Sequence, residues 1–337
     1  MRPIEIVGGG LAGLSLGCAL QESGVETTII EAGTYPRHRV CGEFISGLSP
    51  IDRERLTLGP ALADARKLSS VSWHRKEREV CRHQLPSPAL GISRFTLDAR
   101  LVERFTAAGG RLRTRTRART TPGKPGSVWT AGHRTSPSPF IGLKAHFKGL
   151  SLATDLEMYL GDQAYVGLSP VENGAANLCG LFRRRSIRGE IPEMINQYLE
   201  ACGLRGLKSL VARASVVAGS PCAVAGLDYD SSPDNGPGLS LGDARQLIPP
   251  FTGAGMATAF AAASEALPSL VAWSRDEIDW PRVDRQIRTR LRLRLNRRLR
   301  ASRWIHPFLL EPRRQSLTST LARLHLLPFN LLFHLLH

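Results

Sequence analysis

The chain opens on a short apolar run, residues 4–7, that passes through a glycine cluster into a stretch of helical period, residues 11–21. Gly24 ends that helix, and residues 25–30, rich in β-branched side chains, form a second strand. A loop covers residues 35–46, and residues 71–85 read as one or two strands. A helix opens at residues 93–101 and stops at Gly109-Gly110. The next segment alternates strictly. Arg111, Arg113, Arg115, Arg117 and Arg119 share one face, while Leu112, Thr114, Thr116 and Ala118 share the other. That pattern predicts an edge strand over 111–119 with a solvated arginine face. A turn at 122–126 leads to a returning strand at 127–131, and Pro137-Ser138-Pro139 reads as a linker.

Beyond the linker, residues 140–147, 152–160, 165–168 and 175–182 are rich in strand formers, with turns at Gly161-Asp162 and Asn173-Gly174. This block predicts an antiparallel sheet. Residues 191–202 and 207–213 have helical period, and a long helix is expected over 255–273. From Arg282 to Arg303 arginine recurs densely, with Ile287, Leu291, Leu293, Leu295 and Leu299 between. Residues 321–336 are apolar but interrupted. A basic helix followed by an apolar one suits an interfacial anchor on anionic lipid, and equally a C-terminal helix packed over the substrate lobe.

Composition narrows the classes. The chain has 337 residues, 42% hydrophobic and 22% charged, enough for a sizeable core in two lobes. Forty-five Lys and Arg against 29 Asp and Glu leave a formal net charge of +16, which favours anionic partners. Nucleic acid is not expected among them, because no nucleic-acid module is legible and no aromatics interleave with the 111–119 arginines. Six scattered cysteines without a CxxC pair argue against a zinc site or a disulfide framework, and no metal site is expected. The first strand begins at residue 4, and no apolar run reaches eighteen residues. The expected location is the cytoplasm, with peripheral contact at the inner face of the membrane through the C-terminal tail.

Candidate chemistry sits in two distant stretches. The first is Gly8-x-Gly10-x-x-Gly13 between a strand and a helix, with Glu31 closing the second strand eighteen residues beyond Gly13. Gly8 allows the tight turn, Gly10 lets backbone approach a pyrophosphate, and Gly13 lets helix pack on strand. Leu11 and Ala12 begin the helix whose N-terminus would face the phosphates. Glu31 would accept both ribose hydroxyls of an adenosine and repel a 2′-phosphate. The second stretch is Gly242-Asp243-Ala244, followed by Pro250-Phe251-Thr252-Gly253-Ala254-Gly255. Together the two point to FAD rather than NAD.

With these motifs, and with Pro36-Arg37-x-x-x-Cys41-Gly42 and Arg94-x-x-x-Asp98-x-x-Leu101, the chain resembles the FAD-dependent aromatic hydroxylase superfamily of para-hydroxybenzoate hydroxylase fold. Within it the resemblance is to the geranylgeranyl reductase and flavin halogenase branch. The resemblance spans residues 1–265. It implies an α/β fold in which a Rossmann-like FAD-binding domain (1–70, 90–136 and 235–280) interleaves with an antiparallel substrate domain (71–89 and 137–234). A basic, then apolar helical tail (281–337) follows. By the same resemblance, Asp243 would bond the ribityl chain, and the amides around Gly253, Ala254 and Gly255 would meet the flavin pyrimidine edge. Arg37 and Arg94 would lie near the diphosphate or adenosine, and Cys41-Gly42 near the flavin.

The chain also departs from the superfamily. The Asp-Gly pair usual before the substrate sheet is replaced by Ala131-Gly132-His133-Arg134, and the reductases' Tyr-x-Trp-x-Phe-Pro by Tyr165-Val166-Gly167-Leu168-Ser169-Pro170. A halogenase Trp-x-Trp pair is missing. The catalytic candidates are Cys41, with Arg37 or Arg39 expected to lower its pKa, and Tyr165 and His146 as hydrogen-bond donors to a phenol or quinone. There is no second glycine fingerprint, so NAD(P)H would bind only transiently as reductant. The expected activity is hydroxylation of a lipophilic phenol, quinone, polyketide or prenyl compound. The alternatives are a flavin-dependent C=C reductase and a non-catalytic prenyl or lipid carrier of the same fold.

Overall fold

The computed structural model describes residues 1–118, 123–133, 136–229 and 238–337. The chain begins with β1 (Ile4–Val7), α1 (Leu11–Glu22) and β2 (Thr27–Ile30), and continues through β3 (Phe44–Ile45), α2 (Pro50–Arg55), β4 (Arg66–Arg75) and β5 (Arg78–Gly91). Next come α3 (Arg94–Ala107), β6 (Arg111–Arg113), β7 (Ser127–Trp129), β8 (Phe140–Lys148), β9 (Leu156–Gly161), β10 (Ala164–Pro170) and β11 (Ala175–Arg183). The last third holds α4 (Ile191–Ala201), α5 (Arg205–Ala212), β12 (Ser215–Val216), β13 (Cys222–Ala225), β14 (Leu239–Ser240), α6 (Gly255–Ser274), α7 (Trp280–Leu310), α8 (Pro312–Arg323) and α9 (Phe329–Leu336).

Two sheets result. The first has the order β14-β7-β1-β2-β6 and is parallel throughout. Parallel neighbours need crossovers, and α1 supplies one, buried almost along its length between this sheet, α3 and α6. The second sheet has the order β12-β8-β11-β10-β9-β4-β5-β3, with β13 also on β8. It is mixed rather than wholly antiparallel, because β4 and β9 pair in parallel. The chain returns to the first sheet between β5 and β8, and that long excursion makes the parallel junction possible.

Two strands differ from the periodic reading. The β4–β5 pairing runs from Arg66 to Gly91, beyond the expected 71–85. Its register jumps from Leu68↔Ala89 to Ser70↔Gln84, so Pro86 and Pro88 fall in a bulge where no ladder amide is required. The arginine strand stops at Arg113, since Arg115 is left-handed with φ 53°. Arg119 and Arg134 lie outside the described residues, as do the expected domain boundary at 234/235 and part of the turn at 122–126.

The C-terminal helices pack on the body. Val283, Ile287, Leu291, Leu295 and Leu299 recur every four residues and are buried in the core shared with α1 and α6. Arg294 of α7 bonds Asp52 and, at 2.7 Å, Glu265. Among the described residues, no helix is long and apolar enough to cross a membrane.

Candidate active site

The two glycine-bearing stretches open onto one cavity of roughly 740 Å³ that runs between the sheets, with Gly10 and Gly253 both on its wall. Its first end is built by the β1–α1 turn. Gly8 has φ 111°, and a Cβ there would lie 2.5 Å from the Ala131 backbone. A Cβ on Gly13 would lie 2.1 Å from the Gly8 carbonyl oxygen, so this glycine serves strand–helix contact and is not on the wall. A Cβ on Gly10 would have nothing within 4 Å. The protein therefore leaves room at Gly10 alone of the three.

Glu31 sits at the same end. Its carboxylate accepts from the amides of Gly9 (2.8 Å) and Gly33 (2.7 Å) and from Arg37 (2.7 Å), with Arg39 at 3.7 Å. Burial pushes its pKa up, but the amides and the two arginines prevail and hold it below the usual carboxylate value. Of its roughly four acceptor positions three are filled, which leaves room for one hydroxyl rather than the two expected. Arg94 grips Asp98 through two bonds (2.7 and 2.8 Å), and Arg39 reaches the same carboxylate at 3.2 Å. Burial opposes the Arg94 charge, yet Asp98 keeps its pKa above the ordinary arginine value. Arg39 lies between Glu31 and Asp98 on the wall and was absent from the expected cofactor contacts.

Midway along, the Cys41 and Gly42 carbonyls accept from Asn177 Nδ2 (3.0 and 2.8 Å), and a Cβ on Gly42 would meet only open space. Cys41 is no activated thiol. Burial pushes its pKa up, against Arg94, while Arg37 and Arg39 are directed to Glu31 and Asp98. Across the cavity, Gly242 abuts the start of α1, where a Cβ would come 3.1 Å from Ala12. The Asp243 side chain opens to the cavity but is ringed by protein, so burial raises its pKa while Arg94, His133 and Arg39 oppose the rise. His133 Nε2 is buried with no partner on this wall. Pro250–Thr252 form a single turn, Gly253 is left-handed, and α6 starts at Gly255 with its amides toward the cavity. Ala254, expected at the flavin edge, is fully buried behind the wall.

The far end is apolar. Leu156, Met158, Leu181, Leu227, Tyr229 and Phe251 line it. Tyr165 is on this wall, but its hydroxyl lies 3.2 Å from His306 Nε2 of α7. Burial lowers the His306 pKa to about 4, so the imidazole is neutral, and its tautomer sets which partner donates in the bond to the Tyr165 hydroxyl. Tyr165 is thereby tied to α7 rather than standing free on the wall. His146 departs further from expectation. It lies off the cavity, its Nε2 against Glu43 Oε2, with Lys144 Nζ 3.1 Å from both Glu43 Oε1 and His38 Nδ1. His38, Glu43 and His146 bring ligand atoms within 4.8 Å of one another, and Lys144 reaches into that group.

Two signals could have exposed the missed residues. Gly142, Lys144 and His146 share a face of β8 by alternation, and that face meets the Cys41–Glu43 loop. His306 falls in phase with the buried stripe Leu295, Leu299, Ser302 of α7.

Residues 6–61 match the family described as NAD(P)-binding Rossmann-like domain. No curated protein matches the chain in sequence. Solved structures are similar over nearly the whole chain. The p-nitrophenol 4-monooxygenase from Pseudomonas putida is 12% identical, covering 100% of this chain and 96% of its own, at a TM-score of 0.78. The flavin-dependent brominase Bmp2 is 17% identical, with coverages of 99% and 92% and a TM-score of 0.76. A geranylgeranyl bacteriochlorophyll reductase-like protein from Thermoplasma acidophilum is 16% identical, with coverages of 95% and 91% and a TM-score of 0.71. At these identities the shared property is the fold, a Rossmann-like sheet interleaved with a second sheet and followed by C-terminal helices.

Proposed function

We propose that this chain is an FAD-dependent oxidoreductase, a monooxygenase that hydroxylates a lipophilic aromatic molecule such as a phenol, quinone, polyketide or prenyl compound. The observation that carries the reading is the single cavity. It joins an ionic, backbone-lined end at Gly10 to a dry, aromatic end at Leu181 and Phe251, passing the Gly253 turn on the way. An elongated cofactor with a charged middle and a flat apolar head fits that gradient. Open space at Gly10 and Gly42 and the unpartnered His133 Nε2 are where such a group would be received.

FAD would supply hydride acceptance and oxygen activation when bound. The chain's own groups bind and shield. Glu31 would hold an adenosine ribose hydroxyl, and Arg39 and Arg94, whose orientation Asp98 fixes, would offer positive charge to a diphosphate. Asp243 would take the ribityl hydroxyls, and the α6 N-terminus would favour negative charge at the pyrimidine edge. Leu156, Met158 and Leu181 exclude water from the end where a lipophilic ring would sit. NAD(P)H would act as a transient reductant. Two structural neighbours bear on substrate class, since one is described as acting on p-nitrophenol and another as a brominase.

The test is direct. The purified protein should be yellow or take up FAD, and reduction by NADPH followed by a prenyl-substituted phenol and labelled dioxygen should give a product carrying one labelled oxygen. An unlabelled, reduced product would assign C=C reduction instead. A colourless protein that cannot be reconstituted would support the carrier.

A further inference from the structure

The geometry points to α7 as a membrane-docking helix that lies flat on an anionic bilayer through its outward stripe. Successive residues of a helix turn by about 100°, so positions eleven apart come within roughly 20° of the same direction. Leu293 and Trp304 are eleven apart, and they are 78% and 68% exposed, on the side opposite the buried Leu291, Leu295 and Leu299. Arg282 and Arg300 fall on that same stripe, which spans roughly 33 Å of helix axis. Here two large, exposed apolar side chains share one line with cations.

The charges divide by face. Arginines turned toward the body have partners: Arg288 pairs with Asp284, and Arg294 with Asp52 and Glu265. Among the described residues, the exposed Arg282, Arg285, Arg292, Arg297 and Arg300 make no ion pair with a carboxylate. Arg297 reaches only the His334 carbonyl, at 2.9 Å. Unpaired guanidinium groups flanking a Leu and a Trp match an interface in which phosphates lie beside acyl chains. A nucleic acid would reward the arginines but offer nothing to Leu293, and one tryptophan is no stacking platform. The +16 net charge adds long-range attraction of the right sign.

The position of α7 gives the docking a use. Its inner face carries His306 to Tyr165, and Leu309 and Leu310 pack in the apolar cluster of Tyr165, Leu181 and Leu227 beside the cavity. The same helix thus packs behind the lining of the dry end and presents the stripe.

Co-sedimentation tests this with the full-length protein and vesicles of phosphatidylcholine, with or without phosphatidylglycerol. The protein should pellet with the anionic vesicles, stay in solution with the neutral ones, and be released by added salt. The double variant L293S/W304A should reduce pelleting by roughly fivefold or more. R292E/R300E should abolish it, and both variants should keep the wild-type melting temperature and flavin content. Wild type that ignores anionic vesicles, or L293S/W304A that pellets like wild type, overturns the proposal. It is equally overturned if light scattering shows a dimer that the same double variant dissociates. Duplex DNA that displaces the vesicles yet binds L293S/W304A undiminished would also overturn it, by assigning the stripe to nucleic acid. The readout is independent of activity, so failure of the flavin assignment and failure of docking are separable.

Discussion

At one end of the cavity Glu31, Arg37, Arg39, Arg94 and Asp98 hold one another in a chain of charged contacts, and the β1–α1 turn adds bare backbone. At the other, Leu156, Met158, Leu181 and Phe251 offer apolar surface, and the Tyr165 hydroxyl there is bonded to His306. The first end is organised before any ligand arrives, because its charges are fixed by each other. The second selects by shape and dryness. Cofactor retention and substrate choice should therefore respond to different substitutions.

Four experiments would break or sharpen that contrast. The largest effect is expected from Asp98→Ala, which strands the Arg94 and Arg39 guanidiniums around a fully buried position. Urea unfolding should show a loss of about 4 kcal/mol. A loss near zero would mean the charged end is not self-organised. Next, Gly13→Ala should cost about 3 kcal/mol by forcing a Cβ onto the Gly8 carbonyl. Gly10→Ala should leave the melting temperature unchanged while weakening FAD roughly tenfold in a fluorescence titration. Equal melting of the two variants would refute the distinction between them.

Third, pH should act through the apolar end. The folded protein keeps His306 neutral down to about pH 4, whereas the unfolded chain takes up that proton near pH 6.5. The stability tied to the neutral imidazole is thus complete above about pH 6.5 and declines as pH falls toward 4. The decline should reach about 2 kcal/mol at pH 5 and vanish in His306→Gln, as read from melting curves against pH. Smallest is Leu181→Ala, which borders existing space and should cost roughly 1 to 2 kcal/mol. Steady-state kinetics should show KM for a lipophilic phenol raised with flavin content intact, and a fall in flavin content would erase the contrast.

Legibility differed in the same way. The glycine-bearing end could be read because glycine at 8 and 13 is a demand of the backbone, visible in residue identity. Glu31 followed from its place after β2, but its partners did not: Arg37 and Arg39 reach it through a loop whose path no period encodes. The reach of β5 to Gly91 was hidden by Pro86 and Pro88, which read as a break until the bulge accommodates them. Cys41 looked activatable beside two arginines, but burial and their pairing with carboxylates turned its pKa the other way. His146 read as a hydrogen-bond donor to a ligand and nothing in the strand pattern singled out Lys144; only the approach of Glu43 makes them a cluster.

By itself the sequence determined the strand–glycine–helix turn, the acid at residue 31, the distant Gly242-Asp243 and Gly253–Gly255 elements, and the basic, leucine-bearing helix near the C-terminus. Each depends on local backbone geometry or on one helical period, and both act over a few residues. Tertiary structure alone decided that these elements meet in one cavity, that Tyr165 is tied to His306, and that Glu43 joins Lys144 and His146. Those contacts join residues more than a hundred positions apart. Their partners are set by how the sheets pack, and no local preference of either residue specifies them.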